Sequence, residues 1–305
     1  MSEGKKPSQQ HNQSARVFTI AILIYAVGLF LGAFYDLPLT RAAYNPTSLF
    51  GIVMEAVGWY PAFLPSLLLF ILWTFQKNLP QNRLWQRPVC GLASAGGLGA
   101  LYLVSGRYLA RRGMFTALEG LSLWLWVALG VAFAAILVII VLRMVPSTRV
   151  KMTFFGIWGT VYMVANQVVT YPIKVAWARS RFDDMAAIGS FEAFTPWYQP
   201  FGNGGSSFPS GHTANAAGIF MLLVLCDLFP AWHRRSKTVY VVCWGYIAVM
   251  AAARIIIGRH YLSDTLAASA IMAVLFYAMR STKLYQAQLR KTLSKAAEEG
   301  TPNAI

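Results

Sequence analysis

The chain has 305 residues, of which 57% are hydrophobic and only 12% charged, with a mean hydropathy of +0.50. A water-soluble globule carries roughly a quarter charged residues, so composition excludes one and points to a polytopic membrane protein with apolar runs near the ~20 residues that cross hydrocarbon. The net charge of +15 is not the footprint of a nucleic-acid partner. No basic stripe interleaves with aromatics in a soluble domain, and cationic loops flanking lipid-embedded helices account for the charge.

The polar, basic start, residues 1–16, leads into an apolar run at Val17–Phe34. That run lacks a small-residue cleavage site and reads as an uncleaved first span. Seven more runs follow at Pro61–Phe75, Val89–Val104, Leu121–Leu142, Met152–Tyr171, His212–Phe229, Thr238–Ile257 and Asp264–Met279. The expectation is an all-α membrane helix bundle of about eight transmembrane helices. Gly96, Gly97 and Gly99 in the third run fit close helix packing. Cys90, Cys226 and Cys243 have neither pairing nor metal-type spacing and read as packed thiols. The long loop after the fifth run is too short to fold alone. Residues 17–280 are therefore expected to form one membrane domain, between tails at 1–16 and 281–305.

With the N-terminus inside, most of the 26 lysines and arginines fall on inner loops, which places both tails in the cytoplasm. The outer side still holds Arg41, Arg107, Arg111, Arg112, Lys174, Arg179, Arg181, Arg254 and Arg259, an excess where basic residues should be sparse. Much of it lies in or beside three patches: "KVAWARSRF" (174–182), "FPSGH" (208–212) and "ARIIIGRHYLSD" (253–264). The span count puts all three on one side of the membrane.

Lys174, Arg181 and Arg254 are cations, and the arginine fork matches phosphate oxygens. A helix opening at Pro-Ser-Gly-His adds backbone N–H groups and the positive end of the helix dipole. Ser210 suits an N-cap that also donates to an oxyanion, and Gly211 allows close backbone approach. His260 and Asp264 are four residues apart, so on a helix they share a face. A carboxylate bonded to one ring nitrogen would set the tautomer and leave the other to attack phosphorus. His212 would then protonate the departing oxygen, in a phosphoryl transfer that needs no metal or other cofactor.

These patches resemble the three signature motifs of the type 2 phosphatidic acid phosphatase superfamily. The first motif, Lys, six residues, Arg, Pro, is matched by Lys174 to Arg181 with Phe182 in the place of proline. Pro209 to His212 keeps the second intact. Arg254, His260 and Asp264 keep the spacing of the third, with Ala253 where the family has serine. The resemblance implies a six-helix core, so the first two spans are an addition. It also implies His260 as nucleophile, Asp264 as its orienting partner and His212 as general acid, with Lys174, Arg181, Ser210, Gly211 and Arg254 binding phosphate.

The expected activity is that of a bacterial plasma-membrane lipid phosphatase with an extracytoplasmic site. Its partners would be membrane lipids and a lipid phosphomonoester or pyrophosphate such as undecaprenyl pyrophosphate, phosphatidylglycerol phosphate, phosphatidic acid or a lipid A phosphate. Transfer of the phosphoryl group to another acceptor, or a small soluble ester as substrate, are the alternatives. Asp183 and Asp184 read as tempering local charge, and Trp197, Tyr198 and Phe201 as an interfacial anchor.

Overall fold

In hydrocarbon a backbone must satisfy its own hydrogen bonds, and helices do so within one segment. The computed structural model describes residues 7–76, 80–113, 119–202 and 204–300, and these contain helices and no strand. In chain order the helices are α1 (Pro7–Ala43), α2 (Leu49–Val57), α3 (Leu64–Thr74), α4 (Gln86–Arg111) and α5 (Glu119–Arg143). Then come α6 (Pro146–Trp177), α7 (Phe182–Ile188), α8 (Gly211–Ala216), α9 (Leu222–Leu228), α10 (Pro230–His233), α11 (Ser236–Ile256), α12 (Leu262–Ser281) and α13 (Lys283–Glu298). A 3₁₀ turn, Ala217–Met221, joins α8 to α9.

Among the described residues, six helical stretches are long and apolar enough to cross a membrane: Leu23–Ala43, Gln81–Arg111, Trp124–Arg143, Gly211–Leu228, Ser236–Ile256 and Leu262–Ser281. The second expected span is instead a pair, Leu49–Ala62 and Leu64–Thr74, bent by 50°. The fifth, α6, has 32 residues but carries Asn166, Gln167, Thr170 and Lys174 in its second half. Those residues lower its hydropathy, and Asn166 and Gln167 donate to Asn215 Oδ1 at 2.9 and 3.4 Å. The polytopic bundle stands, with a count of six helices, one bent pair and the less apolar α6.

The main core joins α6, the α8–α9 segment, α11 and α12 through Tyr162, Phe220, Met272 and Phe276. Tyr162 is wholly buried and donates its hydroxyl to the Met272 carbonyl at 2.9 Å, so its polar tip has a partner. α1 runs along α12, and α3 lies between α4 and α6. Gly218 lets the Tyr60–Ala62 turn approach the bundle, because a Cβ there would stand 2.7 Å from the Ala62 backbone nitrogen. Gly97 likewise meets Leu67, whereas Gly96 and Gly99 face open space and are not packing glycines. All three cysteines are free and buried.

Helix extends into both segments read as tails. α1 begins at Pro7, inside the expected N-terminal tail. Much of the expected 281–305 tail is α13, docked on α6. Tyr285 is buried there and donates its hydroxyl to Asp227 at 2.8 Å, while Arg280 pairs with the same carboxylate at 2.6 Å. Residues 1–6 and 301–305 lie outside the described residues.

Candidate active site

α6 ends when Ala178 takes a left-handed conformation (φ 45°), and the extended Arg179–Arg181 stretch leads to α7. Lys174, in the last turn of α6, donates to the carbonyls of Ser206 at 2.7 Å and Pro209 at 2.5 Å. Arg181 donates to Ser206 Oγ at 2.7 Å. The first patch thus grips the segment that opens the second. Ser210 is the N-cap of α8, its hydroxyl oxygen accepting from Thr213 N at 3.3 Å. Its own amide donates to the Asp264 carbonyl at 3.0 Å, which ties the second patch to the third. Gly211 sits beside Lys174, whose Cε would lie 3.9 Å from an added Cβ.

Arg254 lies in the last turn of α11, and Gly258 (φ 71°) reverses the chain after it. His260 follows, 3% exposed, with its amide on the Arg254 carbonyl. Its Nδ1 is 2.7 Å from the Ser207 carbonyl oxygen. A carbonyl only accepts, so Nδ1 carries the hydrogen and Nε2 the lone pair. Burial, reinforced by the charges of Arg254 and Lys174 and opposed by Asp264, pushes His260 down to about 3. The ring is neutral over the physiological range.

The orienting geometry differs from the expected shared helical face. His260 precedes α12, which starts at Leu262 after Tyr261 as N-cap. Asp264 Oδ2 is 3.7 Å from His260 Nδ1, within charge contact but beyond a hydrogen bond. That oxygen accepts from Ser207 Oγ at 2.5 Å and from the Tyr261 amide at 2.9 Å. Ser207 therefore stands between the two, holding the carboxylate with its hydroxyl and the imidazole with its carbonyl.

The eight residues expected at the site gather at one end of the bundle. His212 lies in the fields of Arg254 and Arg181, and its Nε2 is 3.1 Å from the Glu55 carbonyl oxygen, to which it donates. Several buried guanidinium nitrogens here, Arg254 Nε and Arg181 Nε among them, have no hydrogen-bond acceptor.

Two acids, Glu55 and Asp36, escaped sequence reasoning, as did the buried role of Arg179. Glu55 of α2, 2% exposed, lies 3.1 Å from Arg254 Nη1, 3.1 Å from Arg112 Nε and 3.5 Å from Arg259 Nε. Arg179, wholly buried, lies 2.6 Å from Asp264 and 3.0 Å from Asp36 of α1. A carboxylate inside an apolar run is the signal that would have exposed both α1 and α2 as contributors. Asp183 does temper local charge, at 3.0 Å from Arg259. Trp197 is tied inward, its indole donating to the Leu29 carbonyl at 2.8 Å, while Tyr198 and Phe201 stay exposed. Among the described residues no group of three or more His, Cys, Asp or Glu is arranged to hold a metal.

Residues 155–287 match the PAP2 superfamily. Phosphatidylglycerophosphatase B of Bacillus subtilis (strain 168) is 32% identical over 77 residues, which cover 24% of this chain and 37% of that protein. The chain thus spans little more than a third of that relative's length. No solved structure gives a significant match. All three patches lie within residues 155–287 and meet at one end of one bundle, and over that region, which is less than half of the chain, the protein is similar to the PAP2 superfamily.

Proposed function

We propose that this protein hydrolyses a lipid phosphomonoester or pyrophosphate through a phosphohistidine intermediate, at the extracytoplasmic face of a bacterial plasma membrane. The observation that carries the reading is the preset His260 tautomer: its Nδ1 hydrogen is held by the Ser207 carbonyl, and Nε2 keeps its lone pair. It stands in the field of Arg254 and Lys174, next to buried guanidinium nitrogens that lack an acceptor.

The steps follow from those groups. Lys174, Arg181 and Arg254 bind the phosphoryl oxygens and take up charge as it grows. His260 Nε2 attacks phosphorus, the P–O bond to the lipid breaks, and the leaving oxygen takes the Nδ1 proton of a doubly protonated His212, whose Nε2 hydrogen stays on the Glu55 carbonyl. Water then attacks the phosphohistidine, His212 accepts its proton, and the P–N bond breaks to release inorganic phosphate. Asp264, Ser207 and the α8 N-terminus hold this geometry. A site at helix ends lets the lipid tail stay in hydrocarbon while the headgroup enters.

The test uses purified protein in detergent with labelled undecaprenyl pyrophosphate, phosphatidylglycerol phosphate, phosphatidic acid, a lipid A phosphate and a water-soluble sugar phosphate. Inorganic phosphate is expected from at least one lipid and not from the sugar phosphate, with inhibition by vanadate, which mimics five-coordinate phosphorus. Label on a second acceptor would make the protein a phosphotransferase, and no turnover of any lipid would overturn the reading. His212→Ala is expected to slow hydrolysis of an alkyl phosphate by about 10²–10⁴-fold and that of an activated aryl phosphate far less. Equal losses on the two esters would remove His212 as the acid.

A further inference from the structure

α1 lies outside residues 155–287, yet its Asp36 reaches the charged cluster behind His260. Asp36 is 1% exposed, and Arg179 and Asp264 are wholly buried. The Arg179 fork is divided between the two acids: Nη1 donates to Asp264 Oδ1 at 2.6 Å, and Nη2 to Asp36 Oδ2 at 3.0 Å. Its Nε donates to the Thr195 carbonyl at 2.7 Å, and Nη1 also meets Ser263 Oγ at 3.0 Å. Tyr261 and Phe194 hold the guanidinium carbon at 4.2 and 5.2 Å from their ring centres. Burial works against this charge, and Asp264 and Asp36 outweigh it, so the group stays a cation above its ordinary range. With each nitrogen engaged and aromatic rings beside it, Arg179 is not free to turn toward a phosphate.

Asp36 is fixed in turn. Its Oδ1 accepts from the Ser263 amide at 3.0 Å, and its Oδ2 also accepts from the Ser263 hydroxyl. A staple between α1 and α12 would need no more than these Ser263 contacts. The arginine adds a second connection that runs on into the site. Asp264 has one oxygen held by Arg179 and the other by Ser207 Oγ and the Tyr261 amide, and Ser207 holds His260.

We propose that Asp36 is a positioning residue which, through Arg179, sets the orientation of Asp264 and thereby of Ser207 and the His260 ring. The added first helix is then part of the catalytic framework. This rests on the reading of His260 as nucleophile.

Asp36→Asn keeps an acceptor for the Ser263 amide but turns an NH₂ group toward Arg179, which loses one of its two anions. Partners that orient the ligating side chains of metal sites are typically worth about 10–100-fold, and the same order is expected for a partner that orients a reacting imidazole. The expected result is a kcat lower by about 10–100-fold with KM within about twofold, because Asp36 touches none of Lys174, Arg181 or Arg254. In an Arg179→Met background, Asp36→Asn should lower kcat no further, since groups acting in series are non-additive. Melting in detergent reports folding separately. Unchanged kcat in folded Asp36→Asn protein, or additive losses in the double variant, would overturn the proposal. Should Asp36→Asn not fold, Arg179→Lys decides: it keeps the charge and loses the fork, and an unchanged kcat there also overturns the proposal. His260→Asn, run alongside, separates the two readings. Activity surviving in that variant sinks the nucleophile assignment, whereas its loss beside a fully active Asp36→Asn sinks only the relay.

Discussion

His260→Asn is expected to lower phosphate release by at least about 10³-fold, which corresponds to roughly 4 kcal/mol of lost transition-state stabilisation. The amide of asparagine offers an N–H toward the Ser207 carbonyl, where Nδ1 now donates at 2.7 Å. Local structure has a substitute donor, but the lone pair that would attack phosphorus is gone. Turnover within tenfold of the wild type, on protein that melts cooperatively, would rule out His260 as nucleophile. A linked outcome concerns pH. His260 is pushed down to about 3 in the folded protein, against about 6.5 in an unfolded chain. Between those values the unfolded chain binds a proton that the folded one refuses, so this residue makes stability fall as pH falls. Stability from this source is fully present above about 6.5. Melting temperature should therefore drop more steeply from pH 7 to pH 4 in the wild type than in His260→Asn. Parallel curves would mean that the ring is not held neutral.

The contrast between what spacing reveals and what it hides is instructive here. Lys174, Arg181, His212, Arg254, His260 and Asp264 are legible because their chemistry is concentrated in three short patches, and topology alone puts helix ends on one side. The i,i+4 spacing of His260 and Asp264 misleads about mechanism. The helix starts only at Leu262, so Asp264 spends one oxygen on capping Tyr261 and reaches the imidazole through Ser207. Ser207 itself looks like an ordinary loop serine. Asp36 and Arg179 are 143 residues apart, and no local pattern pairs them. The same holds for Glu55, which precedes the second expected span and lies in α2. In both cases the chain exposes the anomaly, an acid within apolar sequence, while the partner is visible only once α1 and α2 have packed. α13 escapes for the opposite reason: its surface is polar enough to read as a tail, and Tyr285 is buried only by tertiary contact with Phe154 and Trp158 at ring-centre distances of 5.2 and 5.0 Å.

Arg254→Met is expected to lower kcat/KM by about 10²–10³-fold, the loss that follows removal of one preorganised donor to a developing oxyanion. Arg254 is 3% exposed and its Nε has no acceptor, so that donor can engage a phosphoryl oxygen without breaking an existing hydrogen bond. Breaking a buried ion pair commonly costs about 3–5 kcal/mol because the remaining charge is stranded. Here Glu55 would still have Arg112 at 3.1 Å and Arg259 at 3.5 Å. Arg254→Met should therefore fall short of that range in stability while losing most of its activity. Arg254→Lys separates charge from shape: an ammonium retains the field but not the fork, so it should recover part of the loss and not all of it. The measurements are steady-state kinetics on the lipid substrate and thermal melting of each variant in the same detergent. A methionine variant with wild-type kcat/KM would remove Arg254 from phosphate binding. One that loses stability by the full amount of a stranded buried charge would show that Arg112 and Arg259 do not share Glu55.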